Sequence, residues 1–429
     1  MTAPAPAPRA QDRALFGLGR WGWALLAVGL ALRIGYSAYA LRGGLVQTFA
    51  DGYEWIAVNL IEHRGYSGLD GQAVPTAARE PGFVLLIALV YELFGKRPLL
   101  LLAVQSALNV GVCVLLARCA ERLSSRAAGR AALVIGLFYP YFIFYCAYFY
   151  RETFLTTVVT AAWLLAGAVW RKPSAALAAA AGLAWGLCAA TMSTFLLVSP
   201  VVGAAVAWRL AVKARAAVPA AIFCAALALP PGLWTLRNYA VFGRLIPGST
   251  LGGYNLYTSL IVPEEDRGTE HELAVERGDA LWPKLIGMSS LLTDDGRQQE
   301  AFLAAAKDYI RAHPRRFILH VLKQAGKLWR PYPYERKYAH SYALIRLLSL
   351  LSDGWLIPLG LWGLWRLRRR GPEPGLAGLL LLSTTAAYAL ISAIVRYRLP
   401  LMGPLIVGAA VLLAERLTPG GVVPPPGKS

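Results

Sequence analysis

Long apolar runs separated by short polar connections dominate the sequence. An α-helix needs about twenty apolar residues to cross a bilayer, and many runs in this chain approach that length. The pattern predicts about ten transmembrane helices, at 21–41, 98–117, 131–149, 153–170, 174–191, 195–210, 217–235, 342–365, 375–395 and 400–416. We therefore expect an all-α polytopic membrane protein built as a helical bundle.

Two further hydrophobic segments are too short to span a bilayer. The run from Phe83 to Phe94 has twelve residues and contains one charge, Glu92. The segment DGYEWIAVNLIEHRGYS, at 51–67, places apolar side chains at helical spacing and reaches a glycine typical of helix ends. We predict that both segments form external juxtamembrane helices that lie against the outer leaflet.

Basic residues follow every second predicted span. They come after the second, fourth, sixth and eighth spans: Arg118, Arg122, Arg126 and Arg130; Arg171 and Lys172; Arg209, Lys213 and Arg215; Arg366, Arg368, Arg369 and Arg370. The positive-inside rule assigns such loops to the cytoplasm, and all four face it only if 83–94 does not cross. This predicts cytoplasmic termini and external loops at 42–97 and 236–341.

The second external loop is too long to be a bare connection. Residues 297–329 have the pattern of two amphipathic helices broken at Pro314. Residues 236–259, LRNYAVFGRLIPGSTLGGYNLYTS, have glycines and a proline between aromatic residues, which indicates an ordered loop with tight turns. Side chains such as Tyr254 and Asn255 could bind sugar hydroxyls or stack on a sugar ring. The alternative is that this loop is only a lid over the helix ends.

Composition supports a membrane protein and argues against nucleic acid as a partner. The chain is 57% hydrophobic and 16% charged, whereas soluble domains carry about 25% charged residues. The net charge of +19 lies largely in short loops between apolar runs, as expected for cytoplasmic anchoring. The five cysteines lie in or beside apolar runs without a CxxC pair, so we expect buried small hydrophobic side chains.

The chain ends have a different composition from the rest. Residues 1–20 are expected to form a disordered cytoplasmic leader before an uncleaved first span, and 418–429 a disordered tail. The transmembrane domain is expected to comprise residues 21–417.

Ionisable and amide side chains gather at the predicted external ends of the spans: Arg33, Asp51, Glu54, Arg79, Glu80, Arg151, Glu152, Arg237, Asn238, Arg396 and Arg398. Taken singly, Arg33, Arg42 and Arg398 are expected to extend to lipid headgroups. Taken together, carboxylates and guanidinium groups that alternate at one membrane boundary favour a functional site. Arginine holds phosphate bidentately and a carboxylate suits a general base, so the mixture indicates phosphoryl-linked chemistry at a membrane surface.

These residues give the chain a resemblance to bacterial membrane glycosyltransferases of the GT-C fold. That superfamily includes the protein O-mannosyltransferases, of glycosyltransferase family 39, and the lipid A aminoarabinose transferase. The resemblance runs from about Arg33 to Leu417 and is strongest in RNYAVFGRLIPGSTLGGYNLY and RYRLPL. The acidic start of 51–67, the REPGF junction and the Glu152 turn contribute more weakly.

The resemblance implies an enzyme that takes a sugar from a polyprenyl-phosphate carrier on the periplasmic face of a bacterial inner membrane. The acceptor would be a lipid, a glycan or a protein. Dependence on a divalent metal stays open, and no other cofactor is implied. The implied catalytic residues are Asp51, Glu54 and Glu152. The implied substrate-binding residues are Arg79, Glu80, Arg237, Asn238, Tyr254, Asn255, Arg396 and Arg398, with Arg79, Arg237 and Arg396 on the lipid phosphate.

The sequence departs from that family in its acids and in one turn. Relatives often carry two adjacent acids in the first loop, whereas Asp51 is followed by Gly52. Many have proline where Glu80 stands, and the stretch after the fifth span reads ATMST where an Arg-Pro step is frequent. These departures bear on the acceptor and on any metal.

Our hypothesis is an inverting glycosyl transfer with Asp51 as general base. A related alternative is a ligase that moves a whole lipid-linked glycan. A different class is a lipid or glycan transporter, but its ionisable groups should line a path near the membrane midplane. A relative without activity that only binds lipid carriers is a further alternative.

Overall fold

The computed structural model describes residues 19–417 except 47, 50, 69–73, 262–294 and 334–341. Over these residues the regular elements are helices, which confirms the predicted all-α fold. In chain order they are α1 (Gly19–Arg42), α2 (Tyr53–Ile61), α3 (Pro81–Phe94), α4 (Pro98–Leu123), α5 (Arg126–Phe138), α6 (Pro140–Cys146), α7 (Glu152–Arg171), α8 (Ala175–Thr191), α9 (Phe195–Trp208, continued by a π-helical turn, Arg209–Lys213), α10 (Ala217–Phe242), α11 (Gly252–Ile261), α12 (Asp295–Ala312), α13 (Pro314–Leu328), α14 (Tyr342–Leu367), α15 (Pro372–Leu390), a 3₁₀ helix (Val395–Leu401) and α16 (Met402–Leu417).

Nine of the ten predicted spans correspond to one helix each and the span at 131–149 to two, but not every helix is long enough to cross. In the described part of the chain, seven helices have the length and hydropathy of a membrane span, counting the 3₁₀ helix with α16 as one. The pair α5 and α6 would make an eighth, bent by 47°. Helix α8, with 17 residues, is shorter than these. The predicted number of ten is therefore not reached by length and composition.

The predicted single span at 131–149 is broken at Pro140. Proline lacks the N–H that would bond to the carbonyl of Gly136 and ends the preceding helix. Arg33 of α1 supplies the missing donor. Its Nη2 donates to the carbonyl of Gly136 at 3.2 Å, and its Nη1 donates to the carbonyl of Leu137 at 2.9 Å. The side chain of Arg33 is completely buried. The expectation that it extends to lipid headgroups is wrong, because the broken helix offers it carbonyl partners inside the bundle.

Glycines allow the bundle helices to approach closely. Helix α14 packs along α16, and α8 packs along both α7 and α10. A Cβ atom on Gly363 of α14 would lie 2.0 Å from the carbonyl oxygen of Gly408 on α16. Small residues at helix interfaces are typical of membrane bundles because dispersion between closely packed backbones replaces the hydrophobic effect there.

Basic helix ends meet at one end of the bundle. The buried carboxylate of Glu373, at the start of α15, pairs with Arg171 at the end of α7 and with Arg122 near the end of α4, 3.2 Å away. Glu415, near the end of α16, pairs with Arg370 at 2.8 Å. Members of three of the four basic loops therefore lie on the same side, as the charge alternation predicted. We call this side the basic end.

Helices α2 and α3 pack together on the opposite side. Phe83, Val84 and Ile87 are buried in a small hydrophobic cluster that also contains residues of α2 and the start of α4. The outer stripe of α3 consists of leucines that are exposed by 52–64%, namely Leu85, Leu89 and Leu93. A 14-residue helix spans about 21 Å, less than the hydrocarbon core. These features agree with a helix lying in one leaflet, although α2 ends at Ile61 and is shorter than the predicted 51–67.

Two further helices agree with the sequence pattern, and one extends beyond it. Helices α12 and α13 meet at Pro314, as predicted. Helix α10 continues to Phe242. Arg237 and Asn238 therefore lie in its last turns rather than in the following loop.

Candidate active site

A cavity of about 190 Å³ lies where several helix ends converge. Helices α3, α7 and α9 begin beside it, and α8 and α15 end there. Because α7 and α15 reach the basic end at their other termini, the cavity lies on the opposite side of the bundle. The lining residues are Asp51, Tyr53, Ala78, Arg79, Glu80, Arg151, Met192, Ser193, Thr194, Ser249, Leu251, Gly252, Asn255, Tyr388, Ile391, Ser392, Arg396 and Tyr397.

Asp51 presents a carboxylate to this cavity. Its side chain is 31% exposed, and Oδ2 lies 3.9 Å from Nη1 of Arg396. Gly52 follows with φ 77°, in the left-handed region that favours glycine. Helix α2 has no side-chain cap at its N-terminus. Asp51 is therefore not fixed as a cap, and its carboxylate is open to a ligand.

Arg396 links Asp51 to a second carboxylate. Its Nε lies 3.2 Å from Oε1 of Glu152, the first residue of α7, which is 2% exposed. The guanidinium carbon lies 4.6 Å from the centre of the Tyr150 ring. These two attractive contacts position the guanidinium of Arg396, which lines the cavity.

Glu80 is held between a cation and a helix start. One oxygen pairs with Arg151, and the other accepts from the backbone N–H of Ser193 at 2.6 Å and from the Ser193 hydroxyl. The hydroxyl oxygen of Ser193 also accepts from the N–H of Ser249 at 2.8 Å. Glu80 thus ties the start of α3, the α8–α9 turn and the 243–251 loop into one wall of the cavity.

Arg79 is bound to neutral groups. Its Nε donates to the backbone carbonyl of Asp51 at 2.7 Å, and its Nη1 donates to that of Ala78 at 3.2 Å. The guanidinium lies over the ring of Tyr53, 5.2 Å from its centre. None of the ion pairs among the described residues involves Arg79, in contrast to Arg151 and Arg396. Arg79 is therefore the cavity guanidinium whose charge is least compensated.

Tyrosine rings and hydroxyls complete the lining. Tyr388 stacks on Tyr397 with ring centres 4.9 Å apart. Burial raises the pKa of Tyr53, so this phenol stays neutral and adds no charge to the cavity. Ring faces and hydroxyls together are the surfaces that suit a sugar, since a pyranose offers both C–H faces and hydroxyl groups.

The structure brings together most of the residues that the sequence proposed. Asp51, Arg79, Glu80, Asn255 and Arg396 line the cavity. Glu152 lies directly behind Arg396.

Glu54 is placed elsewhere, under α3. Its carboxylate accepts from the hydroxyl of Tyr91 and from the N–H of Phe49, the latter at 3.1 Å. Burial raises the pKa of Glu54, although both hydrogen bonds oppose the shift. Glu54 therefore connects α2 to α3 and does not face the cavity.

Arg237 binds the segment that precedes α3, and Asn238 binds the loop that follows α10. Arg237 donates to the carbonyls of Thr76 and Tyr66, each at 2.8 Å, and its guanidinium lies near three aromatic rings, those of Tyr66, Trp234 and Phe242. Asn238 donates to the carbonyl of Ile246 at 2.8 Å. The structure does not bring Arg237 to the cavity.

Tyr254 and Arg398 also lie outside the cavity. Tyr254 packs against Phe302 of α12, with ring centres 5.4 Å apart. Arg398 is buried between α14 and the 3₁₀ helix, paired with Asp353, which also accepts from Tyr139 at 2.6 Å. The expectation that Arg398 extends to headgroups is wrong, because a buried carboxylate on another span neutralises it.

Sequence reasoning missed several lining residues. Arg151 in YFYRETF was counted among the charges at the external ends but was given no role in the site. Ser193 and Thr194 lie in the ATMST stretch, which drew attention only as a departure. Tyr388 and Tyr397 lie at a helix end and in RYRLP, and nothing in the local pattern distinguishes them from ordinary interfacial aromatics.

Within the described ranges, the acidic side chains at the cavity do not form a metal-binding cluster. Asp51, Glu80 and Glu152 each face a guanidinium group. Across the described ranges of the chain, no three metal-ligating side chains come together.

No family model matches the sequence, and no curated protein matches it. Solved structures do resemble it. ArnT from Cupriavidus metallidurans in the apo state is 16% identical, with a TM-score of 0.40 over 90% of this chain and 77% of that chain. ArnT from the same organism bound to undecaprenyl phosphate is 15% identical, with a TM-score of 0.40 over 94% and 89%. The archaeal oligosaccharyltransferase AglB from Archaeoglobus fulgidus, in complex with an inhibitory peptide and a dolichol-phosphate, is 12% identical, with a TM-score of 0.42 over 92% and 50%.

Proposed function

We propose that this protein is an integral membrane glycosyltransferase of the GT-C type that transfers a sugar from a polyprenyl-phosphate donor to an acceptor hydroxyl. One observation carries the proposal. A partly exposed carboxylate, Asp51, shares a cavity with the guanidinium groups of Arg79 and Arg396 at the end of the bundle opposite the basic end. The family resemblance of the sequence in the same segments supports it.

Arg79 is the proposed principal ligand of the donor phosphate. Its charge has no carboxylate partner among the described residues, whereas Arg151 and Arg396 each pair with a buried glutamate. A phosphate brought beside it therefore gains a charge-assisted hydrogen bond without breaking an existing ion pair. Arg396 and Arg151, which also line the cavity, would add a positive field that favours charge building up on the leaving phosphate.

Asp51 is the proposed general base. The acceptor hydroxyl attacks the anomeric carbon as its proton moves to Asp51, while the bond from the anomeric carbon to the phosphate oxygen breaks. The electron pair of that bond leaves with the polyprenyl phosphate, so the single displacement inverts the configuration. General base assistance of this kind contributes about 10²- to 10⁴-fold in rate.

Glu152 and Glu80 are proposed to position these groups. Glu152 fixes Arg396 through its ion pair, and Arg396 lies beside Asp51. Glu80 fixes Arg151 and the Ser193 turn. Asn255 on α11, with the tyrosines of the lining, is proposed to contact the sugar.

We further infer the orientation of the enzyme from its charges. The basic end is proposed to face the cytoplasm of a bacterial cell, with both chain termini, according to the positive-inside rule. The cavity would then face the periplasm at the boundary of the inner membrane. There it would accept a lipid-linked donor from the bilayer and an acceptor glycan, lipid or protein from outside.

The test is sugar transfer by the purified full chain in liposomes. Lipid carriers from a deletion strain are analysed by mass spectrometry, and the sugar-lipid that accumulates identifies the donor. The radiolabelled donor is then supplied with membrane acceptors. Labelled acceptor together with released polyprenyl phosphate supports the proposal. Movement of the donor across the vesicle membrane without transfer would overturn it in favour of a transporter, and transfer of a whole glycan would indicate a ligase.

A further inference from the structure

A buried ion pair lies inside the bundle, outside the cavity of the candidate active site. It joins Arg398 of the 3₁₀ helix to Asp353, near the middle of α14. The two side chains are exposed by only 2% and 0%. Ionisable groups within membrane spans are costly, and replacing a buried ion pair by apolar side chains is often neutral or stabilising. Stability alone therefore does not account for this pair.

Arg398 shares its short helix with a residue of the candidate active site, Arg396. A 3₁₀ helix turns by about 120° per residue, so side chains two positions apart leave it about 240° apart. Arg396 accordingly lines the cavity, whereas Arg398 is buried in the bundle. The helix can thus be held on one face while it presents Arg396 on another.

The ion pair joins the 3₁₀ helix to three other parts of the bundle. Oδ1 of Asp353 accepts from the hydroxyl of Tyr139 at 2.6 Å, beside the break between α5 and α6. Nη1 of Arg398 donates to the carbonyl of Leu328 at 3.2 Å and to that of Arg330, at the end of α13. Arg398 and Asp353 therefore fasten the 3₁₀ helix to α13, to α14 and to the α5–α6 break.

The backbone of the 3₁₀ helix gives Arg396 little support of its own. Residues 391–394, which connect α15 to this helix, are not helical. Hydrogen bonds in a 3₁₀ helix have poorer geometry than those in an α-helix, and Pro400 inside this one lacks an N–H group. Helix α16 continues from the other end, so Arg396 lies toward the end without a helical neighbour. The contacts of Arg398 supply support that the backbone does not.

We propose that Asp353 and Arg398 are positioning residues for the glycosyl transfer proposed above, on which this inference rests. Neither residue lines the cavity. Their ion pair fixes the 3₁₀ helix so that the guanidinium of Arg396 stays beside Asp51 and Glu152. Without the pair Arg396 is still present but displaced, and a displacement of about 1 Å in an active site can lower a rate about 100-fold.

The test is a double-mutant cycle with Arg396, in which transfer of radiolabelled sugar by the full chain is measured in liposomes. Asp353→Leu/Arg398→Met removes both charges and leaves no unpaired buried charge, so its melting temperature should stay near that of the wild type. Its turnover should fall by about 10- to 100-fold. In an Arg396→Ala background the same change should cause no further loss, because the group that it displaces is absent. A merely structural defect would lower turnover by the same factor in both backgrounds.

A milder variant and a matched control accompany this cycle. Arg398→Lys keeps a charge beside Asp353 but lacks the second nitrogen that bonds to the α13 carbonyls. Its smaller loss of turnover should also vanish in the Arg396→Ala background, which keeps the test valid if the double variant does not fold. Glu373→Gln breaks another buried pair, with Arg171 at the basic end. It should lower the melting temperature, and any change in turnover should be equal in both backgrounds.

The outcomes separate this inference from the proposed function. Equal losses for Asp353→Leu/Arg398→Met in both backgrounds would overturn the positioning role, as would full turnover of this variant with Arg396 present. A wild type that transfers no sugar would refute the proposed function instead. Hydrogen exchange needs no activity: amides of residues 395–399 should exchange faster in the double variant, and unchanged exchange would show that the pair does not fix the 3₁₀ helix.

Discussion

Arg396 at the start of the last span and Glu152 at the start of α7 form an ion pair, with Nε 3.2 Å from Oε1. The same guanidinium reaches toward Asp51, 3.9 Å away. Three segments that are distant in the chain thus meet at one cation. This contact holds the proposed base, Asp51, close to the proposed phosphate-binding group Arg396. Their separate roles can be tested by substitution.

Asp51→Asn should abolish most of the transfer activity. The amide keeps the shape of the side chain but cannot accept the acceptor's proton, so turnover should fall by about two orders of magnitude or more. Donor binding and folding should be unchanged. The measurement is transfer of radiolabelled sugar from purified carrier. Glu62→Gln is the control, because Glu62 pairs with Lys96 outside the cavity. Full activity in Asp51→Asn would shift the base to Glu152 or Glu80.

Arg79→Ala and Arg237→Ala should differ in what they impair. Loss of a charge-assisted hydrogen bond of about 1.5–3 kcal/mol predicts that Arg79→Ala weakens donor binding by at least tenfold. Arg79→Lys should recover part of the donor affinity, since lysine keeps the charge but cannot hold the phosphate bidentately. Arg237→Ala should instead lower the melting temperature, because Arg237 holds two carbonyls. Donor binding is measured with fluorescent polyprenyl phosphate. Unaltered affinity in Arg79→Ala would contradict the assignment.

Arg33→Leu should destabilise the bundle. The carbonyls of Gly136 and Leu137 lose their donor at the Pro140 break, and a buried unsatisfied group costs about 1–3 kcal/mol. Arg42→Ala, at the exposed end of the same helix, is the matched control and should change little. Thermal unfolding in detergent measures both. If the two variants unfold at the same temperature, Arg33 does not stabilise the broken helix.

The acids Glu54 and Glu62 should contribute to stability with opposite dependence on pH. Burial raises the pKa of Glu54, so its stabilising contribution is present below the pKa of an unfolded glutamate, about 4.3, and is lost as pH rises through the higher folded value. The hydrogen bond from Lys96 lowers the pKa of Glu62, so its contribution is present above about 4.3 and is lost as pH falls through the lower folded value.

The measurement is the melting temperature of the wild type minus that of each Gln variant, from pH 3.5 to 7. For Glu54→Gln the difference should fall as pH rises, and for Glu62→Gln it should rise. The second effect should be small, because the Glu62 pair is exposed to solvent and screened. If both differences change with pH in the same direction, the direction of the pKa shift given for at least one of the two acids is wrong.

The two sides of the bundle should differ in accessibility. Single cysteines at Arg97, on the side of α3, and at Arg369, at the basic end, are introduced without the native cysteines. An impermeant thiol reagent on intact cells should label position 97 and leave position 369 unlabelled. The reverse pattern would invert the orientation, and labelling of both would contradict the assignment of the two sides.

The sequence by itself determined the helices and their polarity. Apolar runs fix where the spans lie because each backbone group in hydrocarbon must be bonded within its own helix. The arginines that follow alternate apolar runs predicted which helix ends lie on one side of the bundle. In the structure, arginines from these loops pair with Glu373 and Glu415 on that side. The short segment at 83–94 was recognisable because length and charge alternation are properties of the chain alone. Asp51, Arg79 and Arg396 could be identified from the sequence because placing an ionisable side chain at membrane depth costs free energy, so such residues usually pair or line a functional cavity.

Only the tertiary structure decided which of those charges share a space. Arg79 and Arg237 look alike in the sequence, but one borders the cavity and the other holds carbonyls of a neighbouring segment. Glu54 and Arg398 are satisfied by Tyr91 and Asp353, partners far away in the chain. Arg33 is buried because Pro140 frees a carbonyl on another helix. The physical reason is that a charge near a membrane must find a partner, and which partner it reaches depends on how the helices pack rather than on its position along any one of them.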